Sequence, residues 1–270
     1  MTWVGHLDTG AVCAVLCGGA ALLLPRRIAA LPEPEPEAEP TPEEIAARAA
    51  RRAAAEARAA RRGKTVKDRV PEPPKEPYAE LADRPRLAVT LAALAAASGL
   101  VVGLALGWDW SLLFWVPLVP LGVGLAWVDW HTRLLPVPLI HPAYAVAIGG
   151  VVLAALIDGD YSSLARAALG WLIAGGLYLV LWFVYPPGLG YGDVRLAGVL
   201  GIALGYLGWG ELLVGVYAGF LLGGVIGAVL RVTKLVPQRH VPFGPFMLLG
   251  VLVAVVWGAP LWGHLVVTSG

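Results

Sequence analysis

Residues 9–28 read TGAVCAVLCGGAALLLPRRI. Uncharged small and apolar residues run without a break until Pro25, and Arg26-Arg27 close the segment. A helix needs about 20 predominantly apolar residues to cross a hydrocarbon core of roughly 30 Å, and this stretch supplies them. The charge order is informative. Residues 1–10 carry no Lys or Arg, and the basic pair follows the apolar run instead of preceding it. A cleavable signal peptide has the opposite order. The segment therefore reads as a membrane helix with the N-terminus outside and the following residues inside.

The same pattern recurs along the chain. Cutting at prolines, glycines and charges gives eight candidate spans, near 9–28, 86–106, 112–128, 137–157, 164–184, 194–207, 211–230 and 245–267. The fold class is all-α, a polytopic integral membrane protein of about eight transmembrane helices. The sixth span is too short to cross alone, since its 14 residues cover only about 21 Å at 1.5 Å each. Composition agrees: hydrophobic residues make up 58% of the 270 and DEKR only 14%, against about 25% charged in an ordinary soluble domain. With both termini outside, 19 of 20 basic residues fall in inside segments and only Arg166 falls outside. Seven spans would invert the later loops and lose that agreement. Trp108, Trp110, Trp130, Trp209 and Trp262 lie near span ends, as interfacial aromatics do.

One long polar insert interrupts the apolar chain. Residues 31–86 hold twelve of the 19 acids, twelve of the 20 basic residues and ten prolines. Residues 32–42 alternate Pro and Glu and read as an extended spacer. Residues 43–62 are rich in Ala and Arg and read as a solvated helix, and residues 70–80 are again Pro-rich. The domain reading is a first transmembrane helix over 1–30, a cytoplasmic insert over 31–85 and a seven-helix core over 86–270. A net charge of +1 points to no nucleic-acid partner. Cys13 and Cys17 are too few for a disulfide framework or a four-cysteine zinc site.

Acids in or beside membrane spans cost roughly 2.5–3.5 kcal/mol at a helix centre, so they usually have a task. Seven lie outside the insert. Asp8, Asp109, Asp158, Asp160 and Glu211 fall in outside segments, where water solvates them. Asp129, in GLAWVDWHTRLLP, and Asp193, in PPGLGYGDVRLAG, both fall at inside ends of spans. Residues 188–192 carry Gly at every second position just before the short span. Irregular backbone at membrane depth is tolerated only when buried in protein or lining a watery cavity. Two carboxylates facing one cavity suit aspartyl proteolysis, because like charges a few ångströms apart share one proton. The plainer possibility, Asp129 pairing with Arg133 and Asp193 with Arg195, is about equally supported by spacing alone.

The motifs resemble a known family. Gly190-Tyr191-Gly192-Asp193-Val194-Arg195-Leu196 resembles the GxGD-(V/I)-(K/R)-L motif of bacterial prepilin peptidases, the type IV leader peptidases. Asp129 followed by Leu135-Pro136 resembles the family's first aspartate motif, and Val241-Pro242-Phe243-Gly244-Pro245-Phe246 its PFGPF segment. The three occur in the family's order within residues 110–257. The resemblance implies an aspartyl endopeptidase that removes the leader of prepilins or pseudopilins at the cytoplasmic face of the bacterial cell membrane. It implies Asp129 and Asp193 as the catalytic pair and no cofactor. Gly190, Gly192, Arg195, Pro242, Phe243, Gly244 and Pro245 carry over as supporting residues. Many relatives also N-methylate the new pilin N-terminus, an activity tied to paired CxxC motifs between the first two spans. Residues 31–85 contain no cysteine, so the resemblance supports the peptidase and leaves methylation without its usual residues.

Other chemistries find less support. His131, His141 and His240 are all expected on the inside, but no HExxH accompanies them. His131, two residues after Asp129, can tune the local electrostatics. No Gly-rich phosphate loop follows a strand, and Ser162-Ser163 have no nearby His. Two alternatives stay open: a different GxGD membrane aspartyl protease, and a transporter or assembly component whose acids carry protons or bind a partner.

Overall fold

The structure, a computed structural model, describes residues 3–33, 41–61, 76–184, 186, 189–232 and 242–268. Gly188, Lys234, Arg239, His240 and Val241 lie outside the described residues. The described residues are helical, with no strand. After a short 3-10 turn (Trp3–His6) come α1 (Leu7–Ala21), α2 (Leu24–Ala29), α3 (Pro42–Ala60), α4 (Tyr78–Ala82), α5 (Leu87–Leu106) and α6 (Leu112–Thr132). Then follow α7 (Val137–Asp158), α8 (Tyr161–Val184), α9 (Tyr191–Leu207), α10 (Trp209–Val232) and α11 (Gly244–Thr268).

Two compact units divide the chain: residues 1–31 with 76–270, and residues 32–75. In the smaller unit α3 is a helix of Ala and Arg, with an Arg52–Glu56 ion pair at 2.9 Å one turn apart. The larger unit is a multi-pass membrane bundle. Seven of its helical stretches are long and apolar enough to cross a membrane, α1 and α2 counting as one. The eighth, α9, is the short one anticipated from the sequence. Its 17 residues span about 25 Å, less than a hydrocarbon core. It is also heavily buried, with twelve buried residues, because its neighbours cover it on several sides.

The strap ahead of α5, residues 76–86, packs with the larger unit although the sequence reading assigns most of it to the insert. Tyr78 and Leu81 are buried, and these two apolar side chains outweigh the local charge in deciding where α4 lies.

Three antiparallel pairs hold the bundle: α1 with α5, α8 with α9, and α10 with α11. Lipid tails are as apolar as Leu, so association depends on close backbone approach through small residues. At the first pair, a Cβ on Gly103 would stand 2.7 Å from the Thr9 carbonyl oxygen. At the second, a Cβ on Gly205 would stand 2.7 Å from the Arg166 carbonyl oxygen, and one on Gly201 would collide with the Gly170 carbonyl. A G-x-x-x-G spacing thus sets how near α9 lies to α8, and with it the position of everything at the ends of α9.

The acids sort to opposite ends. Asp109, Asp158 and Asp160 all act on Tyr206, at the C-terminal end of α9, whereas Asp193 lies in its first turn. Thirteen residues of helix separate these ends by about 20 Å. Ser162 and Ser163 donate hydrogen bonds of 2.6 Å to Asp160 and hold its carboxyl down to about 2. Arg166 turns inward and donates to the Gly205 and Tyr206 carbonyls at 3.1 and 2.8 Å, capping the C-terminus of α9.

The interhelical approach is testable. Gly201→Val is expected to destabilise the protein in detergent by about 1–3 kcal/mol through overpacking. Gly176→Ala, whose added Cβ meets nothing within 4 Å, is expected to stay within about 0.5 kcal/mol of wild type. Thermal unfolding of the purified variants distinguishes the two.

Candidate active site

Asp129 and Asp193, 64 residues apart in sequence, are two of the few buried acids, at 4% and 7% exposure. Asp129 ends the last turns of α6, and Asp193 occupies the first turn of α9. They lie within electrostatic range of one another.

Each carboxylate is held by the free N–H groups of a helix N-terminus. The Asp193 Oδ2 accepts the Gly190 N–H at 2.9 Å, while the Asp193 N–H donates to the Gly190 carbonyl at 3.0 Å. This closes the first turn of α9 and puts a negative charge at the positive end of its dipole. Asp129 has the opposite local problem, since a carboxylate at a helix C-terminus faces the negative end. The N-terminus of α11 resolves it: the Gly244 N–H donates to Asp129 Oδ2 at 2.9 Å, across 115 residues of sequence. That N–H has no partner inside its own helix, so it is available to an anion. Oδ1 of each aspartate makes no hydrogen bond among the described residues.

The three sequence motifs meet here. Leu135, buried after the C-terminus of α6, is the wedge between them. A Cβ on Gly192 would stand 2.8 Å from the Leu135 Cβ, and one on Gly244 would stand 3.5 Å from its Cδ2. Close approach to Leu135 requires Gly192, whereas Gly244 makes an ordinary packing contact with Leu135 and its tight contact is with Asp129 Oδ2. Phe243 anchors the start of α11 against Tyr178 of α8 and Phe220 of α10, with ring centroids at 6.0 and 5.3 Å. Phe246 faces Trp130 at 6.5 Å. Pro242 is buried, and Pro245 follows Gly244 in the first turn.

Arg195 does not pair with Asp193. Its guanidinium lies over the Tyr191 ring at 4.8 Å, and its carbonyl accepts the Tyr144 hydroxyl at 3.0 Å. Arg133 adopts the left-handed conformation, φ 57°, and its N–H donates to the Asp129 carbonyl at 2.8 Å, ending α6. This leaves the Asp129 carboxylate clear of its own helix terminus. His131 is joined to the strap: its Nδ1 lies 2.8 Å from the Trp127 carbonyl and its Nε2 2.7 Å from Arg84, which Glu76 holds at 2.7 Å. The roles of Leu135, Tyr178 and the Glu76–Arg84 strap escape sequence reading. Only the hydrophobe-Pro pair and the Tyr178 position inside an apolar span were visible, and neither signals a contact. Among the described residues no three His, Cys, Asp or Glu side chains converge as a metal site would require; His240 lies outside them.

Residues 117–230, which contain both aspartates, match the model of the Type IV leader peptidase family. Over that stretch the chain is similar to the family. A prepilin leader peptidase/N-methyltransferase of Aeromonas salmonicida (strain A449) is 32% identical over 178 residues, covering 61% of this chain and 56% of the relative. Proteins of the same description from Stutzerimonas stutzeri and Pseudomonas aeruginosa are 30% and 29% identical over 145 residues, covering 50% of this chain and 46% of each relative. The chain thus spans about half the length of the curated relatives it matches. No solved structure gives a significant match. The PFGPF segment lies beyond the family match, yet it supplies the hydrogen bond to Asp129.

The glycine contacts rank two substitutions. A Cβ on Gly244 would stand 2.8 Å from Asp129 Oδ2, whereas one on Gly190 would stand 3.2 Å from Asp193 Oδ2. Gly244→Ala is expected to destabilise the protein by about 1–3 kcal/mol, since it displaces a buried acceptor from its donor. Gly190→Ala is expected to cost less, and denaturation of both variants in one detergent gives the order.

Proposed function

We propose that the protein is an aspartyl endopeptidase with Asp129 and Asp193 as its catalytic pair. The observation that carries this is the convergence of two buried carboxylates from α6 and α9, each spending one oxygen on a backbone N–H and, among the described residues, keeping the other. In this reading the two carboxylates share a proton and titrate as a unit. The ionised partner takes a proton from water as its oxygen attacks the scissile carbonyl carbon. The protonated partner donates to the carbonyl oxygen. When the tetrahedral intermediate collapses, the C–N bond breaks and the departing nitrogen receives a proton from the pair. The backbone N–H donors fix both side chains before substrate arrives.

The substrate in this reading is a prepilin or pseudopilin precursor, and the product its leader peptide and mature chain. The names of the relatives support it. So does the sidedness of charge, which assigns the aspartate end of the bundle to the cytoplasmic face of the bacterial cell membrane and the N-terminus to the outside. Residues 1–30 form the first crossing, 31–85 the cytoplasmic insert and 86–270 the peptidase core. Gly190, Gly192, Pro242, Phe243, Gly244 and Pro245 position the pair, and Arg195 braces the first turn of α9 through Tyr191. The reading does not extend to N-methylation. Cys13 and Cys17 are buried in α1, where Cys17 faces the Val116 carbonyl at 3.4 Å.

Co-expression with a prepilin of the same genome tests the assignment. Asp129→Asn and Asp193→Asn are each expected to lower leader removal at least about a thousandfold, at normal membrane levels. Normal cleavage by either variant would refute the pair. Mass spectrometry of the mature pilin is expected to show the bare N-terminus. A gain of one methyl group that depends on this protein alone would extend its activity beyond the peptidase.

A further inference from the structure

The last turn of α6 carries Asp129 and leads into the Leu135 wedge, and side-chain ties hold it from several sides. Thr132 Oγ1 donates to the Val128 carbonyl at 2.8 Å and accepts the Leu134 N–H at 3.3 Å. The Gly244 N–H holds the Asp129 carboxylate from α11. A further tie runs from His131 to the strap ahead of α5.

His131 is half-buried, its ring 4.4 Å from that of Trp127. Its Nδ1 lies 2.8 Å from the Trp127 carbonyl oxygen, and its Nε2 lies 2.7 Å from a guanidinium nitrogen of Arg84. These two contacts fix the tautomer. A carbonyl oxygen only accepts and a guanidinium only donates, so Nδ1 carries the proton and Nε2 receives a hydrogen bond. The imidazole is neutral in this arrangement. A second proton, on Nε2, would set two donors face to face and release Arg84.

Arg84 is itself fixed. Both oxygens of the Glu76 carboxylate accept from it, at 2.9 and 2.7 Å, and the chain turns into α5 just beyond it, with Arg86 at φ 65°. Buried Tyr78 and Leu81 pin the rest of the strap. His131 thus joins a fixed strap to the turn that bears Asp129. A partly exposed ion pair such as Glu76–Arg84 counts for little in stability. A displacement of about 1 Å near reacting groups can cost about a hundredfold in rate. The second effect is the larger, so the tie matters for position more than for folding.

The other charged groups around this end of α6 leave His131 alone. The strap also carries Glu80 and Asp83, α2 carries Arg26 and Arg27, Arg86 precedes α5, and His141 lies in α7. On α6 itself Asp129 and Arg133 stand two residues to either side. Among the described residues none of these hydrogen-bonds to the His131 ring.

We propose that neutral His131 and Arg84 are positioning residues for Asp129, tying the strap to the last turn of α6 so that loss of the tie slows the reaction without weakening substrate binding. The proposal rests on the aspartyl peptidase reading and deepens it, by adding control of the site from the strap.

The test uses the full chain in detergent with a prepilin precursor. His131→Leu and Arg84→Leu each break the tie, whereas His131→Gln keeps an acceptor for Arg84 and takes up no proton. Each Leu variant is expected to lower kcat about tenfold per folded molecule with KM within about twofold, and the double variant to lower it no further. At about pH 7.5, His131→Gln is expected to stay within about threefold of wild type. From about pH 7.5 to about pH 5.5, wild type is expected to lose about fivefold more of its kcat than His131→Gln. Equal losses in His131→Leu and His131→Gln, a change confined to KM, or parallel pH profiles would overturn the proposal. If His131→Leu does not fold, the two pH profiles decide. Hydrogen exchange needs no cleavage. The Arg133 and Leu134 amides are expected to exchange about tenfold faster in Arg84→Leu than in wild type, and unchanged exchange would overturn the proposal. Failure of the wild type to cleave would sink the peptidase reading, whereas exchange still reports the tie.

Discussion

A carboxylate buried inside a membrane bundle is costly unless its oxygens are satisfied, and two side by side are costlier. The rest of this structure is arranged around that constraint. The donors are backbone N–H groups that no helix can use internally, Gly190 ahead of α9 and Gly244 at the start of α11. Two helix N-termini thus point at one place. Those donors have no flexible side chain to reorganise, so the aspartates are set before any ligand arrives. Gly190 and Gly244 also lack the Cβ that would press on the carboxylates.

Holding two helix starts at one point demands control of the helices at a distance. α9 is placed by α8, where Gly170, Gly201 and Gly205 bring backbones into contact. α11 is placed by α10 in the same way, with Gly250 against Gly219 and Phe243 lodged over Gly223. Leu135 then fills the space between the starts of α9 and α11, touching Gly192 and lying near Gly244. Glycine spacing, aromatic anchoring and one leucine wedge turn long-range packing into the position of two oxygens. The short length of α9 belongs to the same design, because its first turn must stop inside the bundle to present Asp193.

The opposite end of the bundle needs no such care. Asp160 is half-buried and pairs with Ser162 and Ser163. Arg166 finds its partners in the last carbonyls of α9. Asp160 is satisfied by residues within three positions of it. Asp129 takes its donor from across the fold, and Asp193 takes its donor from the turn before its own helix. Burial marks Asp129 and Asp193 physically, independently of the motifs in which they stand.

Much of this was legible in sequence because a bilayer imposes simple rules. Apolar length gave the helices, including the short α9, and the scarcity of charge left two aspartates without an explanation. The Gly-Tyr-Gly-Asp string and the hydrophobe-Pro pair at Leu135-Pro136 pointed to the same residues. Sequence left the pairing of those aspartates undecided between each other and the nearby arginines. Tertiary structure answered for Arg195, which turns to Tyr191. It also made the PFGPF segment, a helix start, the donor for Asp129, and drew residues 76–86 onto the bundle through Tyr78 and Leu81. The physical reason is range. Hydropathy and charge sidedness act residue by residue along the chain, so the chain alone determines them. A hydrogen bond between residues 115 apart depends on how helices approach one another, and that is decided only where their surfaces meet.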